Sequence, residues 1–280
     1  GINQLQGKKL SYNNYNDIFS AISISRSLPK NVGTTIVKHA NPCGVSINKD
    51  KIKSFELALK SDPISAYGGI VSCNFRIDKK MAKELNKIFL EVVIGVGISK
   101  EALNEFKSKK NLRVIDSTNF KVKNFENINS SYNNMLIQSS DFKNLSRKDF
   151  KIVSKIKPSK KSFKNLIFAF NICRFVKSNA IVIVKEDSTV GIGSGQPSRI
   201  DSCKIAIKKM QNFQKDLYKS EIIAASDAFF PFIDGPETLA HSGVTTIVQP
   251  FGSIRDKEII KYANKVGIVL VFSKTRHFKH

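Results

Sequence analysis

The stretch Thr34-Thr-Ile-Val-Lys-His39, followed closely by Asn41-Pro-Cys-Gly44, decides how the first part of the chain is built. Its β-branched residues predict a buried strand, and the Asn-Pro pair with its nearby glycine predicts a turn where that strand stops. Apolar residues at helical spacing predict a helix before it, over Asp17–Leu28, and another after it, over Lys51–Lys60. Alternating helices and strands indicate an α/β fold.

The same alternation returns in the second part of the chain. The pattern predicts a long helix over Lys160–Lys177, a hairpin of Ala180–Lys185 with Thr189–Gly193, and a helix over Arg199–Gln211. Shorter elements complete the two parts. The predicted strands are a short one that follows the Gly-Gly pair within Ala66–Cys73, and those at Val92–Val96, Ile222–Ser226, Thr245–Gln249 and Val269–Phe272; the predicted helices are Lys79–Leu90, Leu239–Ser242 and Lys257–Lys265.

The middle of the chain, residues 118–150, is dense in Asn, Ser and Lys and lacks sustained periodicity. We predict an irregular connector there, crossed by one strand at Asn134–Gln138. The predicted organisation is therefore an α/β subdomain over 1–117, a connector over 118–159 and a second α/β subdomain over 160–280.

Composition excludes several classes of protein. In 280 residues, 41% are hydrophobic and 20 are Phe, which argues against intrinsic disorder. No apolar run approaches the ~18 residues of a membrane span, and the first residues lack an apolar signal region, so we expect neither a membrane partner nor secretion. Four widely separated cysteines predict buried, reduced thiols and a cytoplasmic protein, with Cys43 as a less favoured nucleophile.

The net charge of +23, from 46 Lys and Arg against 23 Asp and Glu, raises the possibility of nucleic-acid binding. Binding surfaces for nucleic acid usually concentrate Arg and Lys on one face, whereas here lysine is spread along the whole chain. Two other interpretations stay open: a lysine-rich solvated surface, or an enzyme whose substrates are anions. The favoured expectation is no specific nucleic-acid partner.

Two segments carry the most chemical information. Lys38-His39 lies at a predicted strand end, where an imidazole can take up a proton and the ammonium can stabilise a developing anion, although a structural histidine is an equal alternative. Gly191-Ile-Gly-Ser-Gly-Gln-Pro-Ser-Arg199 opens onto a helix and predicts either a tight turn or an anion site. His39-Ala-Asn41 with a lone Cys43 does not match the zinc-deaminase signature, so no metal is expected.

Two further segments have a structural and a functional interpretation each, and the end of the chain has a structural one. Lys177-Ser-Asn-Ala180 predicts a turn, or a site where Asn179 binds a carboxamide. The aromatic residues between Ser226 and Asp234 predict a core cluster, or a platform for a flat heterocycle. The closing Arg276-His-Phe-Lys-His280 predicts, taken alone, a frayed basic tail.

Taken together, these segments resemble the AICAR transformylase domain of the bifunctional purine-biosynthesis family, in order from about residue 5 to the end. The blocks that carry the resemblance are Leu10-Ser-Tyr-Asn-Asn14, Val37-Lys-His-Ala-Asn-Pro-Cys-Gly44, Asp62-Pro-Ile-Ser-Ala-Tyr-Gly-Gly69, Lys177-Ser-Asn-Ala180, Gly191–Arg199, Ser226–Phe232, Gly252-Ser-Ile-Arg-Asp256 and Arg276-His-Phe-Lys-His280.

The resemblance implies a fold of two cytidine-deaminase-like α/β subdomains in tandem and a homodimer with sites at its interface. It implies formyl transfer from 10-formyltetrahydrofolate to the 5-amino group of AICAR, giving FAICAR. It also implies no catalytic metal, and a structural monovalent cation is an open expectation. By the same resemblance His39 is the general base and Lys38 stabilises the oxyanion.

The resemblance also implies which residues bind the two substrates. The positions that match the nucleotide site are Gly68, Glu91, Asn179, Arg199, Phe229 and Arg276. The positions that match the folate site are Ile200, Asp234, Ser253 and Ile254.

The sequence departs from the family pattern at several points. The family's Arg-Tyr-Gly-x-Asn-Pro-His-Gln block and its IMP cyclohydrolase domain would both precede Gly1, so we expect this chain to be a fragment, with an inactive fragment as an alternative. Glu91 is followed by Val-Val-Ile-Gly where the family has an Ile-Ile-Ala-Pro ending. Ile233 stands in place of a common Arg, and Phe251 in place of a common Gly, which would alter folate affinity.

Overall fold

The computed structural model describes residues 1–121, 126–143, 145–214 and 221–280. In these ranges the helices are α1 (Tyr12–Ser27), α2 (Lys51–Ser61), α3 (Pro63–Ala66), α4 (Lys79–Asn86), α5 (Lys100–Phe106), α6 (Lys160–Cys173), α7 (Arg199–Phe213), α8 (Asp234–His241) and α9 (Asp256–Val266). The strands are β1 (Asn3–Gln6), β2 (Gly33–Lys38), β3 (Asn41–Ile47), β4 (Gly69–Cys73), β5 (Leu90–Gly95), β6 (Arg113–Asp116), β7 (Glu126–Ser131), β8 (Asn134–Ser139), β9 (Phe150–Ile152), β10 (Ile181–Lys185), β11 (Ser188–Gly193), β12 (Ile222–Ser226), β13 (Thr246–Pro250) and β14 (Val269–Ser273).

Twelve strands form one continuous mixed sheet, in the order β1-β6-β5-β4-β2-β3-β11-β10-β12-β13-β14-β9. Strands β4, β5 and β6 run parallel to one another, as do β12, β13 and β14. The hairpins β2–β3 and β10–β11 are antiparallel, and β3 pairs with β11 where Ser46 faces Ser188. The two parts of the chain therefore share a single sheet, as an α/β fold.

Both parts follow the same order of elements. A strand, a helix, a hairpin and then three helix–strand units appear as β1 to β6, and again as β9 to β14, with the one-turn helix α3 as an insertion in the first. The sheet orders of the two parts run in opposite senses away from the β3–β11 pair. The chain thus contains a structural repeat, related by an approximate two-fold axis near that pair.

Helices cover both faces of the sheet. The core on one face joins α1 and α6 and runs across both parts, with Ile22 and Phe170 fully buried in it. On the other face, α2, α4 and α5 pack on the first part, and α7, α8 and α9 pack on the second. None of the helices in the described ranges combines the length and the apolar composition needed to cross a bilayer.

Polar caps decide where several helices begin. Ser11 caps α1 in a reciprocal box with Asn14, which starts the helix five residues before the predicted Asp17. Asp78 and Ser99 cap α4 and α5 with a single side-chain bond each, from the amides of Met81 and Ala102. The Ser99 cap precedes a helix that the apolar pattern alone did not predict, because α5 has only seven residues.

The predicted turn at Asn41–Gly44 is wrong. The chain turns at His39 and Ala40, the two residues just before the predicted turn, and their φ angles are 53° and 56°. Lys38 pairs with Asn41 across this two-residue loop, and the Asn-Pro-Cys-Gly run begins the return strand β3. Two left-handed residues give the twist that a tight hairpin needs, so the sharp bend does not need the glycine.

The middle segment is more regular than predicted. Strands β7 and β8 form a separate exposed hairpin, of which only the second strand was expected. Residues 122–125 and 144 of the predicted connector lie outside the described residues. Strand β9 closes the segment by pairing with β14 at one edge of the large sheet. Its three residues are too few to give a period-2 pattern.

Two glycines let helices approach the central strands closely. A Cβ atom on Gly44 of β3 would lie 1.8 Å from the carbonyl oxygen of Ala58 in α2. A Cβ atom on Gly191 of β11 would lie 2.1 Å from the carbonyl oxygen of Ala206 in α7. Since both contacts are to helix backbone, neither can be relieved by a side-chain rotation.

We therefore expect Gly191→Ala to lower the free energy of unfolding by about 3 kcal/mol, because α7 must move away from β11. Urea denaturation measures this loss. The control is Gly267→Ala, where the added methyl meets only Ile156 at 3.8 Å and the cost comes from the φ of 78°, about 1 kcal/mol. Equal losses in the two variants would contradict the close-packing explanation.

Candidate active site

All of the predicted site residues lie at one end of the sheet. Strand β2 ends beside the start of β4, since Val37 pairs with Ile70, and β10 begins beside the end of β12, since Ile181 pairs with Ser226. Because β5 is parallel to β4, the start of β5 lies at this same end; because β13 and β14 are parallel to β12, their last residues lie there too. We call it the site end of the sheet.

Lys38 and Gly68 are brought together at the site end. The Lys38 ammonium donates to the carbonyl oxygen of Tyr67 at 2.7 Å, and a Cβ on Gly68 would lie 4.0 Å from that ammonium. Gly68 has a φ of 72°, which a residue with a side chain rarely adopts. That Cβ would also lie 3.5 Å from Cε1 of Phe89, and the Gly68 amide donates to the Phe89 carbonyl at 2.9 Å, so Gly68 is flanked by an aromatic ring and a fixed positive charge.

His39 is exposed at the tip of the β2–β3 hairpin. Its neighbour Ala40 is held by α1: the Ala40 amide donates to Asp17 Oδ1 at 2.6 Å, and Ser20 Oγ donates to the Ala40 carbonyl at 3.1 Å. Left-handed backbone at a non-glycine residue costs about 1–2 kcal/mol. Such strain persists where surrounding contacts enforce it, as these do, and it commonly marks functional sites.

Glu91 lies at the start of β5 and is half exposed. Its Oε2 accepts a hydrogen bond from Asn14 Nδ2 at 3.3 Å and lies 3.9 Å from Nη1 of Arg113. Asn14 belongs to the first block that carries the family resemblance. The structure thus joins that block to the start of β5, three strands away from β3.

The glycine-rich loop and Asn179 form one hydrogen-bonded unit. Asn179 Nδ2 donates to the carbonyl oxygens of Gln196 at 2.8 Å and Pro197 at 2.9 Å. Asn179 Oδ1 accepts from Arg199 Nη2 at 2.6 Å, and Arg199 Nη1 donates to Ser226 Oγ at 2.9 Å. Arg199 Nη1 also forms an ion pair with Asp227, a fully buried residue.

This network changes the interpretation of Arg199. The sequence suggested a cation free to bind an anion, but its guanidinium is nearly buried and is shared among three protein groups. Asp227 compensates its charge directly. Arg199 therefore fixes Asn179 and the loop in place. The partner Asp227 was not predicted, because nothing in the local pattern shows that its carboxylate is buried.

Phe229 and Arg276 follow β12 and β14 at the site end. Phe229 is half buried, while Arg276 is exposed. Ile200, at the start of α7, packs partly against the core of the second part. These three side chains share the site end but differ in accessibility, and Arg276 is the most open to an anion.

The remaining predicted residues lie at the site end beside β12 and β13, away from the centre of the sheet. Asp234 is exposed at the start of α8, and its Oδ1 accepts from the Gly235 amide at 2.7 Å. Ser253 and Ile254 lie in the loop after β13, where Ile254 is fully exposed. Phe232 and Phe251 are more than half exposed nearby in the sequence. Five strand spacings separate β2 from β13, which is roughly 24 Å.

The last residues of the chain are not frayed, contrary to the sequence-based expectation. His277 is buried, its ring contacts Asp141, and its amide donates to the Asp227 carbonyl at 2.9 Å. The Ser178 amide donates to the Lys279 carbonyl at 2.9 Å. This tail, Lys274–His280, therefore crosses the site end from β14 towards β2. The prediction failed because these contacts join residues far apart in sequence.

The cysteines and the possible metal ligands add no reactive group to the site. All four cysteines are free and buried, as predicted, and burial raises the pKa of the Cys43 thiol to about 12, which disfavours a nucleophilic thiolate. Within the described ranges no three His, Cys, Asp or Glu side chains are grouped to hold a metal ion. Two cavities of about 480 and 770 Å³ lie elsewhere, lined by none of the predicted site residues.

Fold and site together define an α/β protein with a lysine–histidine pair at a hairpin tip and a buried arginine–carboxylate network beside it. A family model described as the AICARFT/IMPCHase bienzyme matches residues 1–209. The chain belongs to this family.

Several relatives carry the name bifunctional purine biosynthesis protein PurH. The one from Leptospira biflexa is 44% identical over 277 residues, which are 99% of this chain and 53% of its own length. Those from Aquifex aeolicus and Rhodospirillum rubrum are 42% and 43% identical over 99% of this chain, and 53% and 54% of their own lengths are covered. The chain thus spans about half the length of these relatives.

Breaking the Arg199–Asp227 pair should be costly. We expect Arg199→Met to lower the free energy of unfolding by about 3–5 kcal/mol, since it leaves a buried carboxylate without compensation. The double variant Arg199→Met with Asp227→Asn should recover much of this loss, because it removes the stranded charge as well. Urea unfolding of the two single variants and the double variant measures the coupling.

The matched control for this pair is Arg255→Met. Arg255 pairs with Glu258 at 3.3 Å, but both side chains are about half exposed, so the expected loss is below about 1 kcal/mol. A similar loss for Arg199→Met and Arg255→Met would contradict the role assigned to the buried network.

Proposed function

We propose that this chain provides the formyltransferase site of its family, which moves a formyl group from 10-formyltetrahydrofolate to the 5-amino group of AICAR. The observation that carries the proposal is the placement of Lys38 and His39. A histidine exposed on an enforced left-handed turn, next to an ammonium fixed beside Gly68, suits proton transfer and charge stabilisation at one centre.

In the proposed reaction, the amine nitrogen of AICAR attacks the formyl carbon and forms a tetrahedral adduct. His39 takes the proton that the amine loses, and the Lys38 ammonium stabilises the oxyanion of the adduct. The oxyanion then collapses, the bond from carbon to N10 of the folate breaks, and the protonated His39 gives its proton to N10, which leaves as tetrahydrofolate. The atoms and charges balance with no metal in the step.

The remaining predicted residues support binding of two substrates. Arg276 offers an exposed cation for the nucleotide phosphate, and Phe229 offers a ring face for its base. The exposed apolar Ile254 and Phe232, with the carboxylate of Asp234, suit a flat heterocycle with hydrogen-bonding edges. A row of residues roughly 24 Å long is longer than one small substrate needs.

The setting of this activity is also proposed. A homodimer, the cytoplasm, and the folate and AICAR substrates are expectations of the family resemblance. Four free thiols agree with a reducing compartment. For the alternative, nucleic-acid binding, the described contacts add no support, because Arg199 and Lys38 are engaged with protein groups at the site end.

For the general base, we expect His39→Ala in the complete protein to lower the rate of formyl transfer by about 10²–10⁴-fold. Single-turnover transfer to AICAR measures this rate directly. The control is His241→Ala, which removes an exposed histidine from the last turn of α8. If His39→Ala kept its rate within about tenfold of the wild type, the assignment of His39 would fail.

Lys38 is tested separately. We expect Lys38→Met to lower turnover by about 10²-fold, because an oxyanion loses its nearest fixed charge, while AICAR binding stays largely intact. Calorimetry of AICAR binding and the transfer rate distinguish the two effects. Lys83→Met, an exposed lysine of α4, serves as the control for loss of charge. A pure loss of AICAR affinity in Lys38→Met would refute the assignment.

A further inference from the structure

Lys279 makes contacts that the proposed reaction does not explain. Its ammonium is partly buried and donates to the carbonyl oxygen of Ala40 at 2.8 Å and to that of Phe175 at 3.0 Å. Ala40 directly follows His39 in the hairpin turn, and Phe175 lies just after α6. One side chain near the end of the chain thus connects the tail, the second part of the fold and the turn of the first part.

Both polar groups of Ala40 are held by side chains of opposite charge. Asp17 accepts from the Ala40 amide at 2.6 Å, and Lys279 donates to the Ala40 carbonyl at 2.8 Å, with Ser20 as a second donor at 3.1 Å. These contacts come from α1 and from the tail, on separate parts of the chain. The peptide groups that flank Ala40 therefore have little freedom to rotate, and a left-handed turn needs such constraints.

The tail that carries Lys279 is itself anchored along the site end. The His277 amide donates to the Asp227 carbonyl, and the Ser178 amide donates to the Lys279 carbonyl, each at 2.9 Å. The position of Lys279 is thus tied to the segments that hold Arg199 and Asn179. Nearby, the amide of Lys177 donates to Asn41 Oδ1 at 2.9 Å, directly after the turn.

We propose that Lys279 is a positioning residue: it clamps the His39–Ala40 turn against the second part of the fold and so fixes the direction in which His39 points. The inference rests on the proposed function of His39, and it goes beyond that function by naming the group that orients it. Lys279 acts through the Ala40 carbonyl, whereas the reacting atoms belong to His39 and Lys38.

The electrostatic surroundings agree with this assignment. Burial, together with the nearby positive charge of Lys177, lowers the pKa of Lys279 to about 8, while Asp17 acts in the opposite direction. A lysine held where its charged form is disfavoured needs compensating contacts, and the two carbonyl oxygens supply them. Lys274 of the same tail is exposed to solvent, so its charge needs no compensating protein contact.

The test compares Lys279→Met, Lys279→Arg and Lys274→Met in the complete protein. For Lys279→Met we expect kcat of formyl transfer to fall by about tenfold or more while KM for AICAR changes by less than about threefold, since a small misplacement of a catalytic group affects mainly the chemical step. Hydrogen exchange of the Ala40 amide should accelerate by about tenfold, because the turn opens more often. Lys279→Arg should restore most of both properties, and Lys274→Met should match the wild type.

Two results would overturn the proposal. One is a Lys279→Met variant with wild-type kcat and wild-type exchange at Ala40. The other is exchange that accelerates equally at Ala40 and throughout strands β10 and β12, which would make Lys279 a general support of the fold. If the wild type itself showed no formyl transfer, the proposed function would fail, and the exchange rate of the Ala40 amide would still decide whether Lys279 clamps the turn.

Discussion

The pairing of β3 with β11 is the interaction on which the rest of the structure depends. The Ile47 amide donates to the Asp187 carbonyl at 2.8 Å, and the Val45 amide donates to Thr189 Oγ1 at 2.9 Å. These bonds merge two repeats of the same element order into one sheet. Because the strands are antiparallel, the start of β3 comes beside the end of β11. The hairpin tip with His39 and the loop before Arg199 therefore meet at one end of the sheet.

Close packing protects this central pair. Gly44 and Gly191 allow α2 and α7 to lie directly on β3 and β11, so that the middle of the sheet is covered without side chains in between. The same arrangement appears in both repeats. The two hairpin tips lie at opposite ends of the sheet: His39 of the first repeat is at the site end, whereas Glu186 of the second repeat is at the other end, since Ser188 pairs with Ser46 near the end of β3. A duplicated scaffold thus carries a site that is not duplicated.

The sequence predicts much of the fold, because most core elements carry their own pattern. The apolar runs around Ile36 and Ile183 predict strands, and the helical spacing before Arg174 predicts α6. The turn after Lys38 was misplaced, since left-handed His39 and Ala40 are ordinary residues with no turn signature. Short edge strands were missed for lack of length, and the order of strands in the sheet depends on pairings between distant segments. The division into subdomains and the individual substrate contacts stay predictions.

In the candidate site too, local sequence predicts some residues while contacts between distant segments decide their roles. These contacts also change how the net charge of +23 is interpreted. Local sequence indicates Lys38, His39 and Arg199 as candidate site residues. Only the folded chain shows that Asp227 compensates the charge of Arg199 and that the Lys279 ammonium donates to carbonyl oxygens. Arg276, by contrast, is exposed at the site end and open to attract an anion at close range. Charges spread over the surface act over about 8 Å at physiological salt, so they raise the local concentration of any anion without selecting among anions. Selectivity has to come from the few groups that the β3–β11 pairing brings to the site end.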